Sequence, residues 1–113
     1  MRHSARAKAE LLDSASVFAA LGDATRLRLV SRLSNDGPMS ITRLADGFAI
    51  SRQAITKHLK VMEDAGLVRS ASRGRESVWQ LEEARLAAAR RHLQTISAQW
   101  DETLGRLKAF VEK

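Results

Sequence analysis

The sequence has no cysteine and no tyrosine, and only one of its 113 residues is proline. Without cysteine, the chain can form no disulfide framework, thiol switch or cysteine-ligated metal site. No apolar run approaches the length of a membrane span, and the first ten residues lack the apolar core of a secretory signal. We therefore expect a soluble protein of the cytoplasm with no membrane partner.

Acidic residues are also scarce, since 19 Lys and Arg face 13 Asp and Glu and leave a net charge of +6. This balance favours a polyanionic partner such as nucleic acid. The length predicts one domain, 1–113, with a single core. A glycine-rich phosphate loop and paired catalytic carboxylates are missing, and the three His residues have structural or terminal explanations. We predict that the chain is not an enzyme.

Breaker and capping residues divide the chain into elements. A first helix is predicted over 4–21, and Asp23 is a good N-cap for a second helix that ends at the breaker cluster 35–38. Ser40 and Ser51 are the predicted N-caps of the third and fourth helices.

Two strand-like runs follow, 67–71 and 77–81, and the glycine-containing connection 72–76 between them predicts a hairpin. Trp79 is predicted to anchor this hairpin to the core. A long final helix is predicted over 82–112. The predicted fold is mainly α with a small β-hairpin, in the order α-α-α-α-β-β-α.

The fourth helix has two opposite faces, and no acid occurs among residues 51–60. Ile55, Leu59 and Met62 recur at helical spacing and form an apolar stripe. The other face offers hydrogen-bond donors, as a helix that enters a DNA major groove requires. The residues predicted to contact double-stranded DNA are Ser51, Arg52, Gln53, Thr56, Lys57 and Lys60 on this helix and Arg73 and Arg75 in the hairpin.

Arg52 and Gln53 lie in the opening turn of the fourth helix, where arginine can pair with guanine and glutamine with adenine. Lys60 is placed to meet backbone phosphate. Arg69, also in the hairpin, could reach phosphates as well. His58 is predicted to be a packed, hydrogen-bonded histidine. Two alternatives stay open, a merely solvated face and a protein–protein interaction module without operator binding.

The final helix carries an apolar residue at every seventh position, at Leu86, Leu93, Trp100 and Leu107. In a monomer this seam would leave a large apolar stripe in water. Burial against the first helix explains part of it, and a two-fold homodimer explains the remainder. The predicted dimer-interface residues are Leu11, Phe18, Leu93, Ile96, Trp100, Leu104 and Leu107.

Four stretches together resemble the ArsR/SmtB family of bacterial repressors. They are FAALGDATRLR at 18–28, SRQAITKHL at 51–59, AGLV at 65–68 and RGR at 73–75. The resemblance covers roughly residues 11–82 by motif, and the last helix by length and position. It implies a winged helix-turn-helix that forms a homodimer through its first and last helices and blocks transcription at a two-fold symmetric operator. The implied parts are the helix-turn-helix 40–66, the wing 67–81 and the dimerisation helices 4–21 and 82–112.

The chain departs from that family in its metal chemistry. Well-known members sense metals through cysteines near the recognition helix, or bind zinc with Asp, His and Glu on paired last helices. Here the last helix offers only His92, with Arg90 and Arg91 beside it and Asp101 and Glu102 further on. A zinc site needs about four donor atoms, and flanking arginines do not favour the binding of a cation. We predict no metal and no other cofactor, and the effector stays open as a small molecule, a partner protein or none.

Overall fold

The computed structural model describes the backbone of residues 2–112 and the side chains of residues 5–112, so Met1 and Lys113 of the predicted domain lie outside the described residues. The elements are α1 (Arg2–Leu21), α2 (Ala24–Asp36), β1 (Met39–Ser40), α3 (Ile41–Ala45), α4 (Arg52–Asp64), β2 (Val68–Arg73), β3 (Glu76–Leu81) and α5 (Glu83–Val111). The predicted fold class is confirmed, with one strand, β1, added. Between residues 2 and 112, no helix combines the length and apolar character needed to cross a membrane.

Side-chain caps begin α2, α3 and α4 where the sequence predicts them. Asp23, Ser40 and Ser51 each accept a hydrogen bond from the backbone N–H three residues on, at 2.9, 3.4 and 3.1 Å. Such caps satisfy amides that a helix leaves free in its first turn. At the other end of α4, Gly66 takes a φ of 74°, in the left-handed region that favours glycine and ends a helix.

The three strands form one antiparallel sheet in the order β1-β3-β2. Met39 pairs with Trp79, and Trp79 is only 7% exposed, which confirms that it anchors the hairpin. The hairpin strands run on to Arg73 and Glu76, so the connection is the turn at Gly74 and Arg75 and not the five residues predicted. The turn is this short because Gly74 adopts a φ of 63°.

The core draws apolar side chains from every helix and from the sheet. In α1 the buried face consists of Ser14, Val17 and Ala20. Leu11 is 53% exposed, whereas Phe18, also predicted at the dimer interface, is half-buried against the chain's own core.

The molecule is elongated, with extents of 66 × 37 × 20 Å. Its radius of gyration is 18.3 Å, against about 13 Å for a compact chain of this length. The cause is the distal part of α5, residues 93–111, in which every residue is exposed; we call it distal α5. The earlier part of α5 packs on α1, where His92 Nδ1 lies 2.5 Å from Ser14 Oγ and Arg85 Nη1 lies 3.5 Å from Asp13 Oδ1.

Candidate nucleic-acid interface

Helix α4 is divided into a buried apolar face and an exposed cationic face. Ile55, Leu59 and Met62 have no exposed surface, so they fix the helix on the core. Because the anchored face and the polar face lie on opposite sides, the polar side chains extend into solvent with no acid among residues 51–60. Among the residues of this helix and its N-cap that are predicted to contact DNA, the exposed ones are Ser51, Arg52, Gln53, Lys57 and Lys60.

Two hydroxyls of the predicted set also make bonds within the chain. Ser51 Oγ accepts from the backbone N–H of Ala54, which leaves its own hydroxyl hydrogen free to donate. The half-buried Thr56 donates through Oγ1 to the carbonyl of Arg52 at 2.9 Å, so its oxygen can only accept from a further group. Ser51 therefore suits a phosphate, and Thr56 suits an amino group on a base edge.

The turn between α3 and α4 is fixed by two arginines of α2. The guanidinium carbons of Arg28 and Arg32 lie 4.2 and 5.2 Å from the ring centroid of Phe48. Arg32 Nη1 also donates to the carbonyls of Leu44, at 3.0 Å, and of Asp46. The role of Arg32 is not apparent from the sequence, because its partners lie at least eleven residues away and no local pattern marks them.

A second polar cluster joins α4 to the start of α2. His58 Nδ1 lies 3.3 Å from Arg26 Nη1 and 3.8 Å from Asp23 Oδ2, which confirms a packed, hydrogen-bonded histidine. Arg26 Nε donates to the carbonyl of Ala20 at 2.5 Å. The N–H that Arg26 donates lowers the pKa of the Asp23 carboxyl, and the nearby positive charge of Arg26 adds to this while desolvation opposes it.

The wing presents two of its three arginines at the tip. Arg73 and Arg75 flank Gly74 and are exposed, as a contact with a neighbouring duplex would need. Arg69 lies at the base of the hairpin, and its Nε is 2.6 Å from Glu82 Oε1. Arg69 is therefore engaged in an exposed ion pair within the chain, and its suggested contact with a phosphate stays a prediction.

The junction between α4 and the wing is held by Arg85, whose role is likewise not apparent from the sequence. Its Nη1 lies 3.3 Å from the Ala65 carbonyl, and the guanidinium covers Gly66 so closely that a Cβ there would be 3.0 Å from Arg85 Cζ. Glycine at this position thus serves both the left-handed turn and the packing of α5 against the end of α4.

Comparisons with known proteins agree with this geometry. The family described as "Helix-turn-helix domain" matches residues 21–71. The chain is 42% identical over 74 residues to the HTH-type transcriptional regulator Rv2034 of Mycobacterium tuberculosis, covering 66% of this chain and 68% of that protein. A solved ArsR-like transcriptional regulator from Rhodococcus sp. RHA1 superimposes with a TM-score of 0.73 at 39% identity, over 88% of this chain and 93% of that one. The chain belongs to the ArsR family.

As an ArsR-family member, the protein is a transcriptional regulator with a DNA-binding winged helix-turn-helix domain, and it is not an enzyme; the comparisons confirm both predictions. The fold is shared more widely. The homodimeric winged helix-turn-helix DNA-binding domain Mb0332 of Mycobacterium bovis matches with a TM-score of 0.62 at 23% identity, over 85% of this chain and 89% of that domain.

Helix α5 of this protein carries His92, the one histidine considered above as a possible zinc ligand. His92 is the single histidine of α5, and it is hydrogen-bonded to the buried Ser14. Within the described ranges, no three His, Cys, Asp or Glu side chains lie close enough together to bind a metal ion. His92 and Arg85 both contact side chains of α1, so this part of α5 packs on α1.

Proposed function

We propose that this ArsR-family protein is a homodimeric repressor acting in the cytoplasm on a two-fold symmetric operator in double-stranded DNA. Each protomer inserts α4 into the major groove of one half-site and lays its wing beside the duplex. The observation that supports this proposal is the contrast between the two faces of α4. Its apolar face is fully buried and its opposite face is exposed, cationic and free of acids over residues 51–60.

The groove contacts follow from position along α4. Arg52 and Gln53 stand in the first turn, the end that approaches base edges, and their side chains can each make two hydrogen bonds to guanine or adenine. Lys57 lies about one turn further on and Lys60 about two, where contacts with the phosphate backbone dominate. Ser51 donates to a phosphate, and Thr56 accepts from a base amino group.

The wing adds contacts of a second kind. Arg73 precedes the two-residue turn, Arg75 is the second residue of that turn, and both are exposed. Arginines at such a tip neutralise phosphates or enter a narrow minor groove, where the negative potential is enhanced. These contacts add affinity and place the protein on the duplex, while α4 supplies most of the sequence preference.

The homodimer is supported by the seam on distal α5. Leu93, Ile96, Trp100, Leu104 and Leu107 are between 43% and 61% exposed, a continuous apolar stripe that soluble chains cover with a partner. A two-fold axis through this seam presents two α4 helices in symmetric positions, which is why the operator would be palindromic. Leu11 and the uncovered part of Phe18 extend the stripe on α1. Repression follows if the bound dimer occludes a promoter.

A gel-shift titration against the DNA upstream of the protein's own gene tests the proposal, with shuffled DNA of equal composition as the control. If the dimer neutralises about six to ten phosphates, affinity should fall by roughly three to five powers of ten between about 50 and 200 mM salt. Transcription in vitro from the same fragment should decrease. A folded protein that binds shuffled DNA equally well, or no DNA, would instead favour the protein–protein interaction module.

A further inference from the structure

A concave surface opens between α3 and the start of α4. It is an open cavity of about 470 Å³, and we call it the turn cavity. Its lining comes from α3, from the turn that follows and from the first residue of α4, and consists of Thr42, Arg43, Ala45, Asp46, Ile50 and Arg52. Only Arg52 among them belongs to the DNA contacts proposed above, so the other polar residues have no assigned role.

The polar side chains of the turn cavity are exposed and are not used by the fold. Thr42, Arg43, Asp46 and Arg52 are all exposed. Over the residues whose side chains are described, none of these four side chains makes a hydrogen bond or an ion pair; where the segment is bonded, the backbone carries the bond. The hydroxyl and the two guanidinium groups are thus available as donors to a ligand from outside the chain.

Positive charge dominates the turn cavity. Arg43 and Arg52 bring two guanidinium groups from two different helices, whereas Asp46 brings a single carboxylate. The two arginines of α2 that stack on Phe48 add to the positive charge of the same turn. A concave surface with an excess of one sign concentrates the electrostatic potential, so the turn cavity attracts an anion.

The dimensions of the major groove indicate which anion is at hand. An α-helix with its side chains is about 10–12 Å across, and the major groove of B-DNA is about 12 Å wide. If α4 enters the groove, the phosphates that border the groove must therefore lie against the protein surface beside α4. The turn cavity adjoins the first turn of α4, which is the end that approaches base edges.

We propose that the turn cavity binds one phosphate of the DNA backbone in each half-site, with Arg43 and Thr42 as its ligands. The Arg43 guanidinium can donate two N–H groups to the phosphate oxygens, and Thr42 donates its hydroxyl. Arg52 borders the same cavity, so the bound phosphate lies next to the base pair that Arg52 reads. The proposal rests on the groove insertion proposed above and adds two contact residues to it.

Asp46 opposes this contact. Its carboxylate borders the same cavity and, among the residues with described side chains, makes no ion pair that would neutralise it. An ionised carboxylate has no hydrogen to donate and repels a phosphate. Two neighbouring residues of one cavity, Arg43 and Asp46, should therefore change the affinity for DNA in opposite directions.

Substitution of Arg43 tests the contact in gel-shift titrations against operator and shuffled DNA over a range of salt concentrations. Arg43→Ala should weaken binding to both DNAs about tenfold at about 100 mM salt, because a phosphate contact carries no sequence information. The slope of log affinity against log salt should become shallower by about two, since each half-site loses one phosphate contact. Arg43→Lys should recover most of the affinity, because lysine keeps the charge. Arg91→Ala is the matched control, an exposed arginine of α5.

Substitution of Asp46 is the second arm. Asp46→Asn should tighten binding to both DNAs by about threefold at low salt, and the gain should fade as salt screens the carboxylate. Asp36→Asn is the matched control, because Asp36 is also an exposed acid but does not line the turn cavity. Thermal unfolding of every variant checks that the fold is unchanged.

The outcomes separate the turn cavity from the proposed function. If the unchanged protein does not prefer operator to shuffled DNA, the operator proposal fails. If it does, but Arg43→Ala binds as Arg91→Ala does or Asp46→Asn fails to tighten binding, the phosphate site fails while the groove insertion stands.

Two further results would assign Arg43 a different role. A loss confined to the operator, with an unchanged salt slope, would make Arg43 a residue that positions α4 and would overturn the phosphate contact. The chemistry of the cavity also suits a free phosphate. If inorganic phosphate raises the melting temperature of the DNA-free protein through Arg43, while Arg43→Ala binds operator normally, the assignment to DNA is overturned in favour of a free phosphate.

Discussion

Helix α4 and distal α5 are both amphipathic, but the protein uses them in opposite ways. The apolar face of α4, formed by Ile55, Leu59 and Met62, is completely buried in the chain's own core. The apolar face of distal α5 is exposed along its whole length, because the buried core of the chain takes no residue of α5 beyond Ala89. The surface left free is thus cationic on one helix and apolar on the other, which suits nucleic acid in the first case and protein in the second.

The largest contrast is expected between two leucines. Leu59→Ala removes a fully buried side chain and should lower the free energy of unfolding by about 2–5 kcal/mol, whatever the protein concentration. Leu104→Ala removes an exposed one and should act through dimerisation, so its effect should vanish on dilution. Urea unfolding over a range of protein concentrations measures both. If both variants lost the same free energy of unfolding at every protein concentration, the two apolar faces would not differ in the way described here.

Trp100→Ala sharpens the comparison on the α5 side. Trp100 is 61% exposed in the single chain and lies in the middle of the seam. Removing a large aromatic anchor from an interface costs about 2 kcal/mol or more, which corresponds to roughly a thirtyfold weaker dimer. Sedimentation equilibrium checks this, with Gln94→Ala, which lies away from the seam, as the control. A variant that remains dimeric at low micromolar concentration would contradict the proposal that the seam forms the dimer interface.

Arg52→Ala and Lys57→Ala probe the exposed face of α4. Each should weaken operator binding by about 1–3 kcal/mol while the unfolding transition stays unchanged, because neither side chain is buried. Arg52→Ala should also relax the base preference at one operator position, as loss of a bidentate contact would. Gel-shift assays with Arg91→Ala as the matched control measure the change. Unaltered binding in both variants would remove this face from the interface.

The smallest effect is expected at Asp23, where α2 begins beside His58. The donated backbone N–H keeps the pKa of Asp23 below its ordinary value of 3.8. The carboxylate therefore stabilises the fold above its unfolded pKa, and this contribution is lost as the pH falls through the lower, folded value. Asn caps a helix about as well as Asp. Asp23→Asn should thus leave stability near pH 7 almost unchanged and flatten its decline below about pH 4, as thermal unfolding across acidic pH would show. An unaltered acid profile would contradict this.

Much of the fold could be predicted because its signals are local. A cap is decided by a side chain and an amide three residues on, so Asp23, Ser40 and Ser51 were identified correctly. The two-sided pattern of α4 and the seven-residue repeat of α5 are also visible within one helix. The family resemblance extended these elements to a winged helix-turn-helix, and the comparisons confirm it.

The errors arose where distant parts of the chain meet. Strand β1 has two residues, too few for any periodicity. It forms because Met39 pairs with Trp79 of β3 in the antiparallel sheet. Arg32 and Arg85 contact carbonyls in elements remote from their own, and nothing near them in the sequence marks this. The buried face of α1 includes the polar Ser14, which no apolar periodicity marks, and its hydrogen bond to His92 allows it to be buried.

The pairing of β1 with β3 has a mechanical consequence. Ser40 ends β1 beside Val78 and also caps α3, so the first helix of the helix-turn-helix and the wing share a residue-to-residue junction. We therefore expect α3, the proposed reading helix α4 and the wing to move as one rigid unit. If the proposed dimer adjusts to half-sites of unequal spacing, the adjustment must then come from a change of angle between the two protomers and not from a change within either one.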